Sequence, residues 1–161
     1  MGDSRKISCF VNGKATELET DPNVPLLHVL REALGMKATR FGCGEATCGA
    51  CTVIVDGRPV MSCDMPVGQI DNCRIETADS LAGNPTHPLV SAFLDHQAGQ
   101  CGYCLPGILM TAKALLSEEP TANRERIAAA LDGNLCRCGA HARILDAIED
   151  AAARMSVEVR V

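Results

Sequence analysis

Three cysteines at Cys-x4-Cys-x2-Cys spacing, Cys43, Cys48 and Cys51, constrain this chain more than any other feature. They lie on a stretch interrupted by Gly42, Gly44 and Gly49, and Cys63 follows twelve positions after Cys51. The spacing is that of plant-type [2Fe-2S] ligands with an early fourth cysteine. Four thiolates make such a site anionic, and something must offset that charge where water is scarce. Glycines let a loop wrap closely and aim successive backbone N–H groups at the sulfurs. The run Thr52–Val53–Ile54–Val55 then anchors one end of the loop in a core. Disulfides and zinc are the competing uses of these thiols. Met1–Lys6 leads into no apolar leader segment, and closely spaced cysteines without a secretory signal favour metal or redox chemistry over disulfides. Structural zinc more often uses two separated Cys-x2-Cys pairs or mixed Cys/His sets.

A chain of 161 residues has room for one ordinary domain or two small ones. Hydrophobic residues make up 47% of it and aromatic residues only 2%, so any core is built from Ala, Leu, Ile, Val and Met. Small cores of that kind gain from a metal staple. The net charge of −5 is spread evenly along the sequence. No basic patch or aromatic stacking platform stands out, which argues against a nucleic-acid partner. No apolar run reaches the length of a membrane span. The expectation is a cytoplasmic chain without direct membrane insertion, associated with a membrane at most through partner subunits.

Along the chain, residues 6–11 read as a strand, Asn12–Gly13 as a two-residue hairpin turn and Lys14–Leu18 as the returning strand. Leu26, Leu27, Val29, Leu30 and Leu34 have helical spacing, ended by Gly35. After the cysteine loop, Thr52–Val55, the turn Asp56–Gly57 and Arg58–Met61 form a second hairpin, which carries Cys63 back to the loop that holds Cys51. Arg74–Thr77 is one more strand. Cys9 and Cys73 read as plain thiols, and His28 as structural or exposed. Residues 79–87 change the character of the chain, with Gly83, Asn84 and Pro85 breaking any regular element. Four short helices follow, over Pro88–Ala98, Pro106–Leu116, Arg124–Leu131 and Ala142–Met155. Leu89 and Phe93 face inward on the first, and Ile144, Leu145, Ile148 and Ala152 have core spacing on the last. The reading is α+β: a ferredoxin-like β-grasp domain over residues 1–79, then a helical domain over 80–161.

A second group of cysteines lies in the helical half. Gln100–Cys101–Gly102–Tyr103–Cys104 supplies one Cys-x2-Cys, and Cys136–Arg137–Cys138 supplies a Cys-x-Cys. Both lie beside helix termini, where N–H groups favour thiolates. Alone, these four could bind zinc, or Cys101 and Cys104 could act as a redox dithiol. Beside the first loop they suggest a second [2Fe-2S] centre.

Three long motifs in order, Phe41–Val53, Gln100–Cys104 and Gly133–Gly139, make the chain resemble the small iron–sulfur subunit of the molybdenum hydroxylases, the xanthine dehydrogenase family. The resemblance implies an N-terminal β-grasp domain and a C-terminal four-helix bundle with one [2Fe-2S] cluster each. The ligands would be Cys43, Cys48, Cys51 and Cys63 in the first, and Cys101, Cys104, Cys136 and Cys138 in the second. It implies a large partner subunit holding a molybdopterin cofactor, contacted by Gln100 and Cys138. It also implies electron transfer away from a hydroxylation of an N-heterocycle or aldehyde, with no substrate chemistry on this chain and no catalytic residue. Many family members read Cys-Arg-Cys-Thr-Gly-Tyr at the last motif, where this chain has Cys136-Arg-Cys-Gly-Ala-His141. That form is closer in look to nicotinate and isoquinoline dehydrogenase small subunits, which commonly hand electrons to a cytochrome-bearing partner rather than to a flavin (FAD-binding) subunit. His141 reads as a helix-start or surface residue. A free-standing two-cluster ferredoxin and a zinc-stapled interaction module are the alternative readings.

Overall fold

The computed structural model describes residues 4–158; Met1–Asp3, part of the stretch where no leader segment was expected, and 159–161, the end of the expected helical domain, lie outside the described residues. Chain order is β1 (Arg5–Val11), β2 (Lys14–Thr20), α1 (Leu26–His28), β3 (Thr52–Val55), β4 (Arg58–Met61), β5 (Arg74–Glu76), α2 (Asp79–Ala82), α3 (Pro88–Asp95), α4 (Leu105–Glu118), α5 (Arg124–Ala130) and α6 (His141–Glu158). The strands form one five-stranded mixed sheet in the order β2-β1-β5-β3-β4, with β1 and β5 parallel and the other pairs antiparallel.

Both expected hairpins form, and for the expected reason. Asn12 and Gly13 have φ of 49° and 79°, and Asp56 and Gly57 have φ of 47° and 83°. Two successive left-handed residues match the twist of the flanking strands, which is why Asn-Gly and Asp-Gly favour this turn. All four residues of β3 are buried. Val53 and Val55 point into the core shared with Ile7, Val11, Leu30 and Ile75, whereas Ile54 on the other face meets Met110 and Ala114 of α4. A strand covered on both faces reads as a continuous apolar run.

Three local features differ from expectation. The helix at Leu26 keeps α geometry only to His28 and continues as a wider π-helical stretch, Val29–Ala33, with Leu34 N–H donating to Val29 O. Gly35, at φ 67°, closes it. Residues 79–87 are not wholly irregular, because Asp79–Ala82 forms α2 ahead of Gly83. The last helices are not uniformly short: α4 has 14 residues and α6 has 18.

In the helical half α3, α4, α5 and α6 share one core around Leu89, Ile108, Leu116, Ile127, Ile144 and Ile148. Leu145 is only partly buried. Each of the first three helices starts as its sequence asks. Proline occupies an early position in α3 and α4, where its missing N–H leaves no helical bond unmade. Asn123 caps α5 by accepting from Arg126 N–H at 2.9 Å. Outside the core, Arg154 on α6 donates to Asp150, to Asp95 at 2.8 Å and to Ser91 at 2.9 Å, clasping α6 to α3. The seam with the sheet is carried by Ile54, Ala78, Leu81, Met110 and Ala114, and by an ion pair from Lys113 to Glu76. Among the described residues no helix is long and apolar enough to cross a membrane.

Candidate metal centre

Cys43, Cys48 and Cys51 ride on the loop between the π-helical stretch and β3, and hairpin β3–β4 brings Cys63 to the same place. Ser62 N–H and Ser62 Oγ both bond the Cys51 carbonyl, at 3.3 and 2.7 Å, and this sets Cys63 beside Cys51. These two thiols are buried against Leu27. On the outer side of the loop, Cys43 N–H donates to Cys48 Sγ at 3.4 Å, and Cys43 Sγ accepts from Glu45 N–H and Thr47 N–H, each at 3.3 Å. Ala46 N–H reaches Cys63 Sγ at 3.4 Å. Left-handed backbone at Gly44 (φ 76°) and Ala46 (φ 51°) turns these donors inward, the anion-binding nest that glycines in such a loop permit. A Cβ on Gly42 would stand 2.5 Å from Cys48 Sγ, so the loop has space for sulfur there and for nothing else.

The second set joins two segments. Cys101 and Cys104 precede α4, with Cys104 at its N-terminal boundary, while Cys136 and Cys138 lie between α5 and α6. Cys138 Sγ lies 3.5 Å from Cys101 Sγ, and Cys104 faces Cys136. Gln100 Nε2 donates to the Cys138 carbonyl at 3.3 Å, and both Gln100 and Cys101 are exposed.

Both sets therefore bring thiols together two by two: Cys43 with Cys48, Cys51 with Cys63, Cys101 with Cys138, and Cys104 with Cys136. Two irons that each take two thiolates ask for pairs.

The thiols differ in their ease of ionisation. A hydrogen bond from the Thr47 side chain, with the N–H groups of Glu45 and Thr47, lowers Cys43 to about 6. Burial, with Cys63 alongside, pushes Cys51 up to about 11. In the other set the Tyr103 N–H and the Cys138 thiol lower Cys101, whereas burial and the facing Cys136 push Cys104 up to about 12. Burial opposes ionisation of Cys136, but hydrogen bonds from the Ala140 backbone, the Cys104 thiol and the backbone of Cys138 and Gly139 bring it down. Each site thus combines thiols that lose a proton readily with others that need a metal to do so. The donors and the pairing fit a [2Fe-2S] group at each site, and at the first the cradle at Gly42 adds to the fit.

The loops of the two sites touch. Leu135 N–H donates to Cys48 O at 3.0 Å, and Asn134 Nδ2 donates to Gly49 O at 3.2 Å. A cavity of about 170 Å³ between them is lined by Cys48, Cys101, Cys104, Tyr103, Leu135 and Arg137. The Tyr103 hydroxyl bonds the Phe41 carbonyl, and the Arg40 guanidinium sits over the Tyr103 ring, 5.7 Å from its centre. A larger cavity, about 610 Å³, lies elsewhere beside Phe10, Arg74 and Lys113, and no cysteine lines it. Cys9 is buried in the sheet core, Cys73 packs at its edge, and burial raises both thiols. His28 is exposed, with its ring 6.2 Å from that of Phe41, and His141 is the exposed first residue of α6. Asn134 and Gly107, which join the two loops, were not legible as site residues, since their partner Gly49 is far away in sequence.

Residues 9–76 match a 2Fe-2S iron-sulfur cluster binding domain, and residues 77–149 match a second [2Fe-2S] binding domain. The chain is 45% identical over 150 residues to the nicotinate dehydrogenase small FeS subunit of Eubacterium barkeri, a match covering 92% of this chain and 95% of that one. It is 42% identical over 147 residues to the alpha chain of isoquinoline 1-oxidoreductase of Brevundimonas diminuta, covering 91% and 97% respectively. Among solved structures, quinoline 2-oxidoreductase from Pseudomonas putida 86 has a chain that superposes with a TM-score of 0.91 at 37% identity, over 99% of this chain and 100% of that one.

Proposed function

The chain belongs to the small [2Fe-2S] subunits of the molybdenum hydroxylases, and from that premise we propose how its residues serve an electron-transfer role. Cys43, Cys48, Cys51 and Cys63 hold one [2Fe-2S] cluster in a β-grasp domain, residues 1–79. Cys101, Cys104, Cys136 and Cys138 hold the other in a four-helix bundle, residues 80–161. The pairing of thiols at both sites is the observation that carries this assignment. Two separate cores, one under the sheet and one among α3–α6, support the division. When bound, the clusters supply one-electron redox centres. The residues around them position those centres and tune them through N–H bonds and burial.

The second site faces outward. Gln100, Cys101, Tyr103 and Leu135 are exposed around it, and Cys101 is the one exposed thiol of the eight, although Phe41, Glu45 and Thr47 are exposed at the first. The proposed neighbour of the outward face is the molybdopterin of a large partner subunit, which Gln100 and Cys138 meet together. Their mutual hydrogen bond presents both at one spot. The first site then lies on the acceptor side, with a cytochrome c-containing or FAD-binding partner beyond it. The likeness to nicotinate dehydrogenase and isoquinoline oxidoreductase chains supports hydroxylation of an N-heterocycle by the complex. A cytoplasmic location is proposed with it.

Copurification followed by metal analysis tests this reading. The expected complex contains a large molybdenum-bearing subunit, with about four irons and acid-labile sulfide on this chain. A colourless chain holding zinc and no sulfide overturns the electron-transfer reading. A brown chain that never associates with a molybdenum protein replaces it with a free-standing ferredoxin.

A further inference from the structure

The most crowded point between the two cysteine loops is the Gly49 carbonyl. Gly49 is buried, has φ 69°, and separates Cys48 from Ala50. Its oxygen accepts from Thr52 N–H at 3.2 Å and from Thr52 Oγ1 at 2.8 Å, both on its own side. From the helical half it accepts from Asn134 Nδ2 at 3.2 Å. Gly107 of α4 closes the remaining approach, because a Cβ there would stand 2.0 Å from the same oxygen. A Cβ on Gly49 itself would lie 2.4 Å from Asn134 Nδ2 and 2.5 Å from the Gly133 carbonyl. Asn134 is 5% exposed, a buried polar residue two positions before Cys136. Buried amides are kept where they are hydrogen-bonded.

Neighbouring donors bond neighbouring acceptors here: Leu135 N–H takes Cys48 O, and Asn134 Nδ2 takes Gly49 O. A single hydrogen bond between two loops would leave a pivot. Two bonds on successive carbonyls remove it and fix orientation as well as separation. We infer that Asn134 is a positioning residue that sets the mutual geometry of the two cysteine centres by clamping the Gly49 carbonyl against Gly107. The inference rests on the two four-cysteine centres proposed above and adds what holds them in register.

The test uses the full chain in its complex, with both centres reduced, and reads the magnetic splitting between them by EPR. That splitting depends on separation and orientation, and not on stability as such. Asn134→Ala is expected to keep about four irons per chain and both individual spectra, while the splitting shifts or smears. Ile127→Ala, fully buried in the helical core on α5 and outside both cysteine loops, destabilises the fold and should leave the splitting as in wild type. An unchanged splitting in Asn134→Ala with iron retained overturns the inference, as does an equal change in Ile127→Ala. Should Asn134→Ala lose iron, Gly107→Ala decides, because it presses the same carbonyl from the opposite side. A shifted splitting there supports the clamp, and an unchanged one overturns it. Fewer than four irons in the wild-type chain would fail the two-centre reading itself, and the iron count separates that failure from failure of the clamp.

Discussion

Leu135 N–H donates to the Cys48 carbonyl across 3.0 Å, a bond between the two cysteine loops that is made by main chain on both sides. The thiol of Cys48 takes no part in that bond. Substitution of the Cys48 side chain therefore removes a proposed ligand without undocking the loops. Cys48→Ser is expected to lose the first centre, about two irons of four, and to keep the second centre's EPR signal. Iron analysis and EPR on the same sample check this. Loss of both signals would mean that the centres depend on each other for folding.

The main-chain character of the bond separates two substitutions at one position. Leu135 is 62% exposed, so Leu135→Ala removes little packing and should change stability by less than about 0.5 kcal/mol. Leu135→Pro deletes the N–H and leaves the Cys48 carbonyl unpaired, and should cost about 1–3 kcal/mol. Urea unfolding of the two variants side by side measures the difference. Equal stabilities would show that the interloop bond contributes nothing.

Gly42→Ala tests the cradle of the first site. The added Cβ would stand 2.5 Å from Cys48 Sγ and 3.2 Å from Ala50 Cβ. Sulfur held on a metal cannot move away as a free rotamer could. The expected result is selective loss of the first centre, read as iron falling to about half with the second EPR signal intact. Full iron occupancy in this variant would place the sulfur elsewhere.

Much of this architecture was legible in the sequence because its causes are local. Asn12–Gly13 and Asp56–Gly57 specify their turns by the left-handed backbone they accept, and so fixed two strand pairs. The spacing of Cys43, Cys48 and Cys51 marked the loop, and the hairpin that follows it brought Cys63 home. The widening at Val29–Ala33 was not legible, since a π-helical stretch keeps the same apolar residues inward as an α-helix of similar length. Nor was the pairing of Cys101 with Cys138 and Cys104 with Cys136, which depends on how the segment between α5 and α6 docks against the start of α4. The Asn134–Gly49 contact spans 85 positions, and a lone asparagine has no periodicity to announce it.

Ile144 is fully buried among Leu89, Ile108 and Ile148 in the helical core. Ile144→Ala leaves a cavity there, and aliphatic truncations of this kind cost about 2–5 kcal/mol. The sheet has its own core, so the loss should fall on the helical half. Hydrogen exchange is expected to speed up in α3 and α6 while β1 and β5 stay protected. Uniform loss of protection across both would show a single cooperative unit.

The clasp between α3 and α6 makes a prediction about acid. Arg154, with His96 and its 3.0 Å contact in second place, holds the Asp150 carboxyl below the usual carboxylate range. A carboxyl whose folded pKa is depressed adds stability that is present above its unfolded pKa, near 3.9, and is lost as pH falls through the folded value. Asp150→Asn should therefore be less stable than wild type from neutral pH down to about pH 5. The gap should begin to close only below about pH 4 and vanish once the pH has fallen through the depressed folded value, where the wild-type carboxyl is protonated. Because Asp150 is partly exposed, with 30% of its side chain accessible, salt should narrow the gap at neutral pH. Urea midpoints across this pH range, at low and high salt, measure it. A gap that persisted at full size after the carboxyl is protonated would mean that Asp150 acts through something other than its charge.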